Sequence, residues 1–554
     1  MEQIPSFNQL IQDSITRNWD RDALTDYKGA TLQYHDVARK IEKLHIMFES
    51  SGVQKGDKIA ICGRNSAAWA SAFLAVITYG AIAVPILHEF IPDQIHNIVN
   101  HSDAKLLFAG DVVATQIDPT KMPKLEGIIY IPDYSLVISR TEKLTYAREH
   151  LNEMFGHKFP KYFRKEHVHY YIEQNPDELA LINYTSGTTG FSKGVMLPYR
   201  SLWSNADFAK HVLGSKIKAG DSVISILPMA HMYGMAFEFL FEFLMGCHVY
   251  YLTRIPSPAI IAAAFSEIRP VIIISVPLII EKIIKKKVFP KLQDPRMRLL
   301  TRMPGINKKV FERINEQVTQ AFGGRFIEVI VGGAAFSQEV EQFLRRIGFR
   351  YTVGYGATEC GPIIGYEDWS RFVPGSCGKA AYHMQVKIVS RDPTHIAGEI
   401  LCKGPNVMLG YYKNEDATKA AIDADGWFHT GDLGLMDKDG NIFIKGRSKN
   451  MLLGSNGQNI YPEEIEDKLN SLTLVSESVV IQEGDKLIGL VHPDYDAAKS
   501  MGLGDADIKE IMEHNRKTLN AEQPNYCHLS EIRIHEEEFE KTPKRSIKRF
   551  LYTK

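Results

Sequence analysis

The sequence predicts an α/β protein. A large N-terminal part carries a largely parallel sheet, a small β-rich unit follows, and a mixed α/β unit closes the chain. Three observations lead there. Short apolar runs alternate with helical segments through roughly the first 330 residues, the pattern of strand–helix–strand units. After about residue 375 the runs shorten and are joined by tight turns. After Gly446-Arg447 the mixed α/β texture returns. A length of 554 residues is too great for one simple domain.

In chain order, Val37, Ile41, Leu44 and Phe48 recur at helical spacing and predict a helix ended near Gly52. KIAIC (58–62) reads as a buried strand. The stretch from Ala67 to Leu87 has no charge over nearly the ~20 residues a bilayer span needs. It contains Ser71, Thr78, Gly80 and Pro85 and lacks a basic flank, so a buried helix, a break at Gly80 and a strand are expected. AKLLFAG (104–110), VISILP (223–228), VIIISVP (271–277) and FIEVIV (326–331) are further strand-like runs. MAFEFLFEFL (235–244), with Glu238 and Glu242 four apart, predicts an amphipathic helix. Asp439-Gly440 between GLMDKD and NIFIKG is a hairpin signal.

Composition narrows the function. Hydrophobic residues make up 44% and charged residues 24%, which argues against disorder and coiled coil. The chain has 65 Lys+Arg against 66 Asp+Glu, a net charge of −1, so it offers no broad basic field and no nucleic-acid partner is expected. The six cysteines, Cys62, Cys247, Cys360, Cys377, Cys402 and Cys527, include no CxxC pair, which argues against zinc and a disulfide framework and fits a reducing compartment. MEQIPSFNQLIQDS lacks the basic start and apolar core of a signal peptide, and a cytoplasmic protein is expected.

One segment carries chemistry. The apolar run Leu179–Ile182 leads into Tyr184-Thr185-Ser186-Gly187-Thr188-Thr189-Gly190-Phe191-Ser192-Lys193-Gly194. Glycines let backbone N–H groups approach an anion, hydroxyls donate further bonds, and Lys193 adds a point charge. That is a cradle for a polyphosphate. It is not G-x-x-x-x-G-K-[ST], because Lys193 follows Gly190 by three residues, and Gly354-Tyr355-Gly356 does not complete G-x-G-x-x-G.

YTSGTTG-x-x-KG resembles the phosphate loop of the adenylate-forming superfamily: acyl- and aryl-CoA ligases, peptide-synthetase adenylation domains and firefly luciferases. LPMAH (227–231), VGGAAFS (331–337), GYGATE (354–359), GWFHTGD (426–432), KGRSKN (445–450) and NIYPEEIE (459–466) resemble its further motifs in the same order, over nearly the whole chain. The resemblance implies an N-terminal domain of stacked sheets, 1–446, with its β-rich subdomain at about 375–446. It implies a mobile C-terminal domain, 447–554, hinged near Lys449. It places the β- and γ-phosphates of ATP against Thr185, Ser186, Gly187, Thr188, Thr189, Gly190 and Lys193. The adenine would lie along Gly333, Ala334 and Ala335, with Tyr355 stacked on it beside Gly356. Thr358 would bond the α-phosphate, and Glu359, with Thr185, would hold Mg²⁺. Asp432 would bind the ribose, and Arg447 ribose or phosphate. His231, Tyr233 and Gly332 would border the acyl pocket, and Gly454, Ser455, Asn456 and Gly457 would form the loop used in thioester formation.

The chain departs from the family at its end. The usual K-T-P-x-G-K-I-x-R is here Lys541-Thr542-Pro543-Lys544-Arg545-Ser546-Ile547-Lys548-Arg549, with Ser546 where the adenylating lysine is expected. Lys544 and Lys548 lie two residues to either side, and in an extended segment would share a face with Ser546. Either is a candidate substitute. Smaller departures are Ser192 for a proline and Tyr199 for a histidine.

The resemblance is greatest to fatty acyl-CoA ligases. It implies activation of a carboxylic acid by ATP and transfer to CoA, with Mg²⁺ as cofactor. An aryl-CoA ligase, an adenylating enzyme that loads a separate acyl carrier protein, and a non-catalytic nucleotide-binding homologue are the alternatives. Peripheral membrane contact is compatible with all of these.

Overall fold

The structure is a computed structural model that describes residues 4–185, 193–253, 258–292, 294–303, 306–453, 459–542 and 547–553. Its largest sheet has eight strands in the order Gly410–Tyr411, Lys193–Pro198, Leu179–Thr185, Ile82–Ile86, Lys58–Cys62, Ala104–Ala109, Gly127–Tyr130 and Leu136–Ser139. The five strands from Leu179–Thr185 to Gly127–Tyr130 run parallel, and antiparallel strands close both edges. A three-stranded parallel sheet follows, Ile273–Ser275, Val329–Val331 and Tyr351–Val353. A mixed sheet joins Ser222–Ser225 and His248–Tyr251 to Asp22–Asp26 and Thr31–Gln33.

The helices that cover these sheets follow the sequence pattern. Tyr34–Ser51 buries Val37, Ile41, Leu44 and Phe48 completely and ends at Gly52, whose φ of 83° suits glycine. Ala67–Tyr79 starts on Ser66, which accepts a hydrogen bond from the Trp69 N–H, and stops at Gly80 (φ 85°). It is apolar on all sides because the core surrounds it. Among the described residues no helix is long and apolar enough to cross a membrane.

Four expectations change. Only Ile273–Ser275 of the run 271–277 and Val329–Val331 of the run 326–331 are strand. The run 223–228 leaves the sheet after Ser225, because the Glu238 carboxylate takes the N–H groups of Ile226 (3.1 Å) and Leu227 (2.8 Å). The helical segment around Glu238 and Glu242 is not amphipathic. It runs through Met232–Met235, a π turn at Ala236–Leu240 and Phe241–Leu244, and both glutamates are buried with the phenylalanines. Glu238 keeps its place through those backbone donors and the Ser225 hydroxyl (3.2 Å). Burial pushes its carboxyl well up, and pushes that of Glu242 to about 8.

Beyond residue 380 an antiparallel sheet orders Gln385–Val389, Gly398–Lys403, Phe428–Met436 and Ile442–Arg447, the last two joined through Asp439-Gly440. After Arg447 come the strands Val475–Glu483, Lys486–Pro493 and Leu529–Ile534 with helices Pro462–Asn470 and Asp505–Ala521. Ile465, Leu469, Leu487, Val491, Met512 and Leu519 form a core belonging to these residues alone. All six cysteines are free thiols; the Cys360 and Cys402 sulfurs lie 3.5 Å apart.

Candidate active site

The hairpin of Leu179–Thr185 and Lys193–Pro198 sets Thr185 directly opposite Lys193. Ser186, Gly187, Thr188, Thr189 and Gly190 connect them and lie outside the described residues, as do Gly454, Ser455, Asn456, Gly457, Lys544 and Ser546. The ends of the loop are nonetheless well placed. Lys193 is exposed, and its Nζ stands 4.7 Å from the centre of the Tyr411 ring. The Tyr411 hydroxyl donates to Glu359 Oε1 at 2.9 Å. Tyr411 reaches this point because Gly410–Tyr411 pairs with Val195 and Met196, adding an edge strand to the hairpin. The Glu359 carbonyl also accepts from the Met408 N–H (2.8 Å). Thr185, Lys193, Tyr411 and Glu359 thus form one continuous group. Burial, and next the Glu359 carboxylate, hold the Tyr411 phenol above its ordinary range, so the hydroxyl remains a donor.

A second group lies on the β-rich sheet. Asp432 and Arg447 are opposite each other in adjacent strands, and Arg447 Nε meets Asp432 Oδ1 at 2.7 Å. The Tyr355 hydroxyl donates to Asp432 Oδ2 at 2.6 Å. The Thr430 hydroxyl accepts from the Asp432 N–H (3.0 Å) and donates to the Ile400 carbonyl (2.7 Å). Burial raises the Asp432 carboxyl, and Arg447 pulls against that. The aspartate is buried while Arg447 is mostly exposed, so the pair opens to solvent on the arginine side.

Between these groups runs the chain from Tyr351–Val353 to Thr358-Glu359-Cys360. Tyr355 is buried and Gly356 exposed, and a Cβ on Gly356 would lie 2.4 Å from the Pro362 carbonyl oxygen. Thr358 is buried at the start of a short 3₁₀ turn. Gly333, Ala334 and Ala335 are exposed just past the C-terminal end of the parallel strand Val329–Val331. That end of a parallel sheet is where ligands bind in α/β folds. Gly333 has φ 87°, a left-handed conformation that glycine adopts without strain.

His231 and Tyr233 start the helical segment that carries Glu238. His231 Nδ1 accepts from the Tyr233 N–H (3.2 Å), and the Asn183 side chain donates to the Ala230 carbonyl (2.8 Å), tying this segment to the hairpin of Leu179–Thr185 and Lys193–Pro198. The Tyr233 hydroxyl donates to the Ile330 carbonyl (3.1 Å), and a Cβ on Gly332 would meet it at 3.1 Å. Tyr233 and Gly332 therefore sit face to face at the end of the strand that leads to Gly333.

Lys541 and Ile547 form an antiparallel bridge. Lys548 Nζ is paired with Glu540 (3.1 Å), and Arg549 with Glu466. Of the residues expected to share a face, Lys544 and Ser546 lie outside the described residues and Lys548 alone is described. Lys449 lies exposed in a short turn, Ser448–Asn450. Sequence reasoning missed Tyr411 and Thr430. Tyr411 follows a glycine in a polar stretch, and only its strand pairing brings it to Glu359.

Residues 11–412 match the family described as AMP-binding enzyme, and residues 449–554 match the AMP-binding enzyme C-terminal domain. The chain belongs to the AMP-binding enzyme family. It is similar to the "Long chain acyl-CoA synthetase 6, peroxisomal" of Arabidopsis thaliana, with 29% identity over 540 residues, covering 89% of this chain and 73% of that protein. Its fold is that of ATP-bound MatB from Rhodopseudomonas palustris (TM-score 0.75, 21% identity, 98% of both chains). The fold is also that of o-succinylbenzoate CoA synthetase from Bacillus subtilis in complex with its acyl-adenylate intermediate (TM-score 0.74, 19% identity, 99% of this chain and 98% of that one).

Proposed function

We propose that the protein activates a fatty acid with ATP and transfers the acyl group to CoA, releasing AMP and pyrophosphate. The observation that carries this reading is the convergence of Lys193, which faces Thr185, and Glu359 on Tyr411, together with the buried Asp432 paired to Arg447. A cation, a hydroxyl and a carboxylate in one group support a triphosphate there, and the exposure of the small residues Gly333–Ala335 supports a flat base beside them.

In the first step a carboxylate oxygen of the acid attacks the α-phosphorus, the bond to the bridging oxygen breaks, and pyrophosphate leaves. Two anions must approach, so the site has to offset their repulsion. Lys193 supplies a fixed charge at the leaving pyrophosphate, and Thr358 a donor at the α-phosphate. Glu359 and Thr185 are the oxygen donors that suit Mg²⁺. Among the described residues no cluster of three or more His, Cys, Asp or Glu side chains stands ready for a metal, so the ion would take most of its ligands from phosphate and water. When bound it neutralises phosphate charge. Asp432 orients the ribose, itself held by Tyr355 and Arg447. In the second step the CoA thiol attacks the acyl carbon and AMP leaves.

Support for a fatty acid comes from the Arabidopsis relative's name and from the apolar surroundings of His231 and Tyr233. An aryl acid is the second reading, motivated by the o-succinylbenzoate-activating structural neighbour. ATP–pyrophosphate exchange with short, medium, long and aromatic acids separates them. Exchange greatest with medium or long acids, followed by AMP release on adding CoA, supports the proposal; exchange confined to aromatic acids replaces it with the second. Thiol acceptance by a holo-carrier protein in preference to CoA would move the second step to a carrier.

A further inference from the structure

The chain is close to neutral, but one segment is not. Residues 282–313 hold eleven Lys or Arg and two acidic residues, a net of +9 in a chain of net −1. The segment comprises the end of the helix from Pro277, the short helix Phe289–Leu292, and a pair of packed helices, Pro295–Arg302 and Ile306–Ala321.

Its faces are sharply divided. Val310, Phe311, Ile314 and Val318 of the last helix pack inward on the core of the three-stranded sheet, with Phe289 and Met297. Lys308, Lys309 and Arg313 point outward, and Lys282, Lys291 and Arg296 are exposed as well. Lys28 is paired with Glu267 and Arg325 with Asp221, but among the described residues none of these six takes part in an ion pair. Exposed apolar side chains stand among them. Leu299 is 63% exposed, Met303, one turn on, 39%, and Ile306, which opens the next helix, 41%. Leu299 lies in the first of the two helices, Met303 caps its end and Ile306 opens the second. Lys285 faces elsewhere, its Nζ donating to the Asn470 carbonyl (3.2 Å), so the C-terminal part contacts another side of the segment.

We propose that this segment docks the protein on an anionic phospholipid surface. The unpaired cations would lie in the negative potential of the headgroups, and Leu299, Met303 and Ile306 would enter the acyl boundary. Charge alone would also suit nucleic acid. The apolar residues at the helix junction decide between the two, since a phosphate backbone gives no return for exposing them and hydrocarbon does. The surface is formed by residues outside the nucleotide site, and the inference holds whichever acid is activated.

The test is co-sedimentation of the full chain with phosphatidylcholine vesicles with and without phosphatidylserine. Wild type should bind the anionic vesicles, more weakly as salt rises, and bind phosphatidylcholine alone poorly. The combined Lys308→Glu, Lys309→Glu, Arg313→Glu variant should lose at least about tenfold in affinity. Leu299→Ser with Met303→Ser should weaken binding several-fold while keeping the salt dependence. Thermal unfolding like that of wild type shows that both variants fold. Wild type that stays in solution with anionic vesicles at low salt, or two folded variants that sediment like wild type, overturns the proposal. So does binding to duplex DNA that exceeds vesicle binding and is untouched by the serine substitutions.

Discussion

Tyr411 holds Glu359 from one side with its hydroxyl and faces Lys193 with its ring, so the carboxylate and the ammonium are positioned by one side chain. Lys193→Met should lower acid-dependent ATP–pyrophosphate exchange by about 10²-fold or more, the scale for a charged transition-state contact. Its melting temperature should hardly change, because the side chain is exposed. Tyr411→Phe keeps the ring and removes only the hydroxyl, and a fall of about tenfold is expected, read in the same assay. A Tyr411→Phe enzyme equal to wild type would show that Glu359 needs no such support. Thr185 and Lys193 stand out in the sequence because glycine, hydroxyl and charge cluster there, and Glu359 through the resemblance carried by GYGATE. Tyr411 does not, because its role arises from pairing with Val195 and Met196, more than two hundred positions away.

Among the elements, the Met232–Leu244 segment departs furthest from its pattern. Spacing of four between Glu238 and Glu242 reads as a polar stripe, yet both are inside. Periodicity reports which residues share a face, not whether the protein covers that face. Glu238 is covered because the N–H groups of Ile226 and Leu227 need an acceptor. Glu242 has Oε2 without a hydrogen-bond partner among the described residues, and its carboxyl is raised to about 8 from an ordinary 4.5. The folded state then keeps a proton that the unfolded chain has lost between those values. This group's contribution is fully present below pH 4.5 and is lost as pH rises through about 8. Glu242→Gln should therefore gain on the order of 1–3 kcal/mol over wild type at pH 8 and little at pH 5, measured by denaturant unfolding at both. Equal effects at the two pH values would contradict a protonated Glu242. The strands at 58–62, 82–86 and 104–109 were legible because both faces are buried and each reads as an apolar run.

At the scale of the molecule, the residues after Arg447 have their own core, and their contacts with preceding residues include the polar pairs Lys445 with Glu464 (2.7 Å) and Lys285 with the Asn470 carbonyl (3.2 Å). A pair such as Lys445–Glu464 can be exchanged at small cost, which suits a proposed rotation about Lys449 between the two half-reactions. Lys449→Pro fixes φ at that point. It should slow adenylation and thioester formation by unequal factors, measured separately as pyrophosphate exchange and as acyl-CoA formed from supplied acyl adenylate. Equal loss in both would count against the hinge. The change of texture after residue 446 made this division legible. The Lys541–Ile547 bridge and the Arg549–Glu466 pair were not, because they join residues whose spacing carries no signal.

The central claim is that the Thr185–Lys193 hairpin and the Asp432–Arg447 pair grip the triphosphate and the ribose of one ATP molecule. A crystal structure with bound ATP tests it most directly. The account predicts phosphates beside Lys193 and Glu359, the base along Gly333–Ala335, and a ribose hydroxyl within hydrogen-bond reach of Asp432. A nucleotide bound elsewhere, with Lys193 facing solvent and Asp432 still closed on Tyr355 and Arg447, would contradict it.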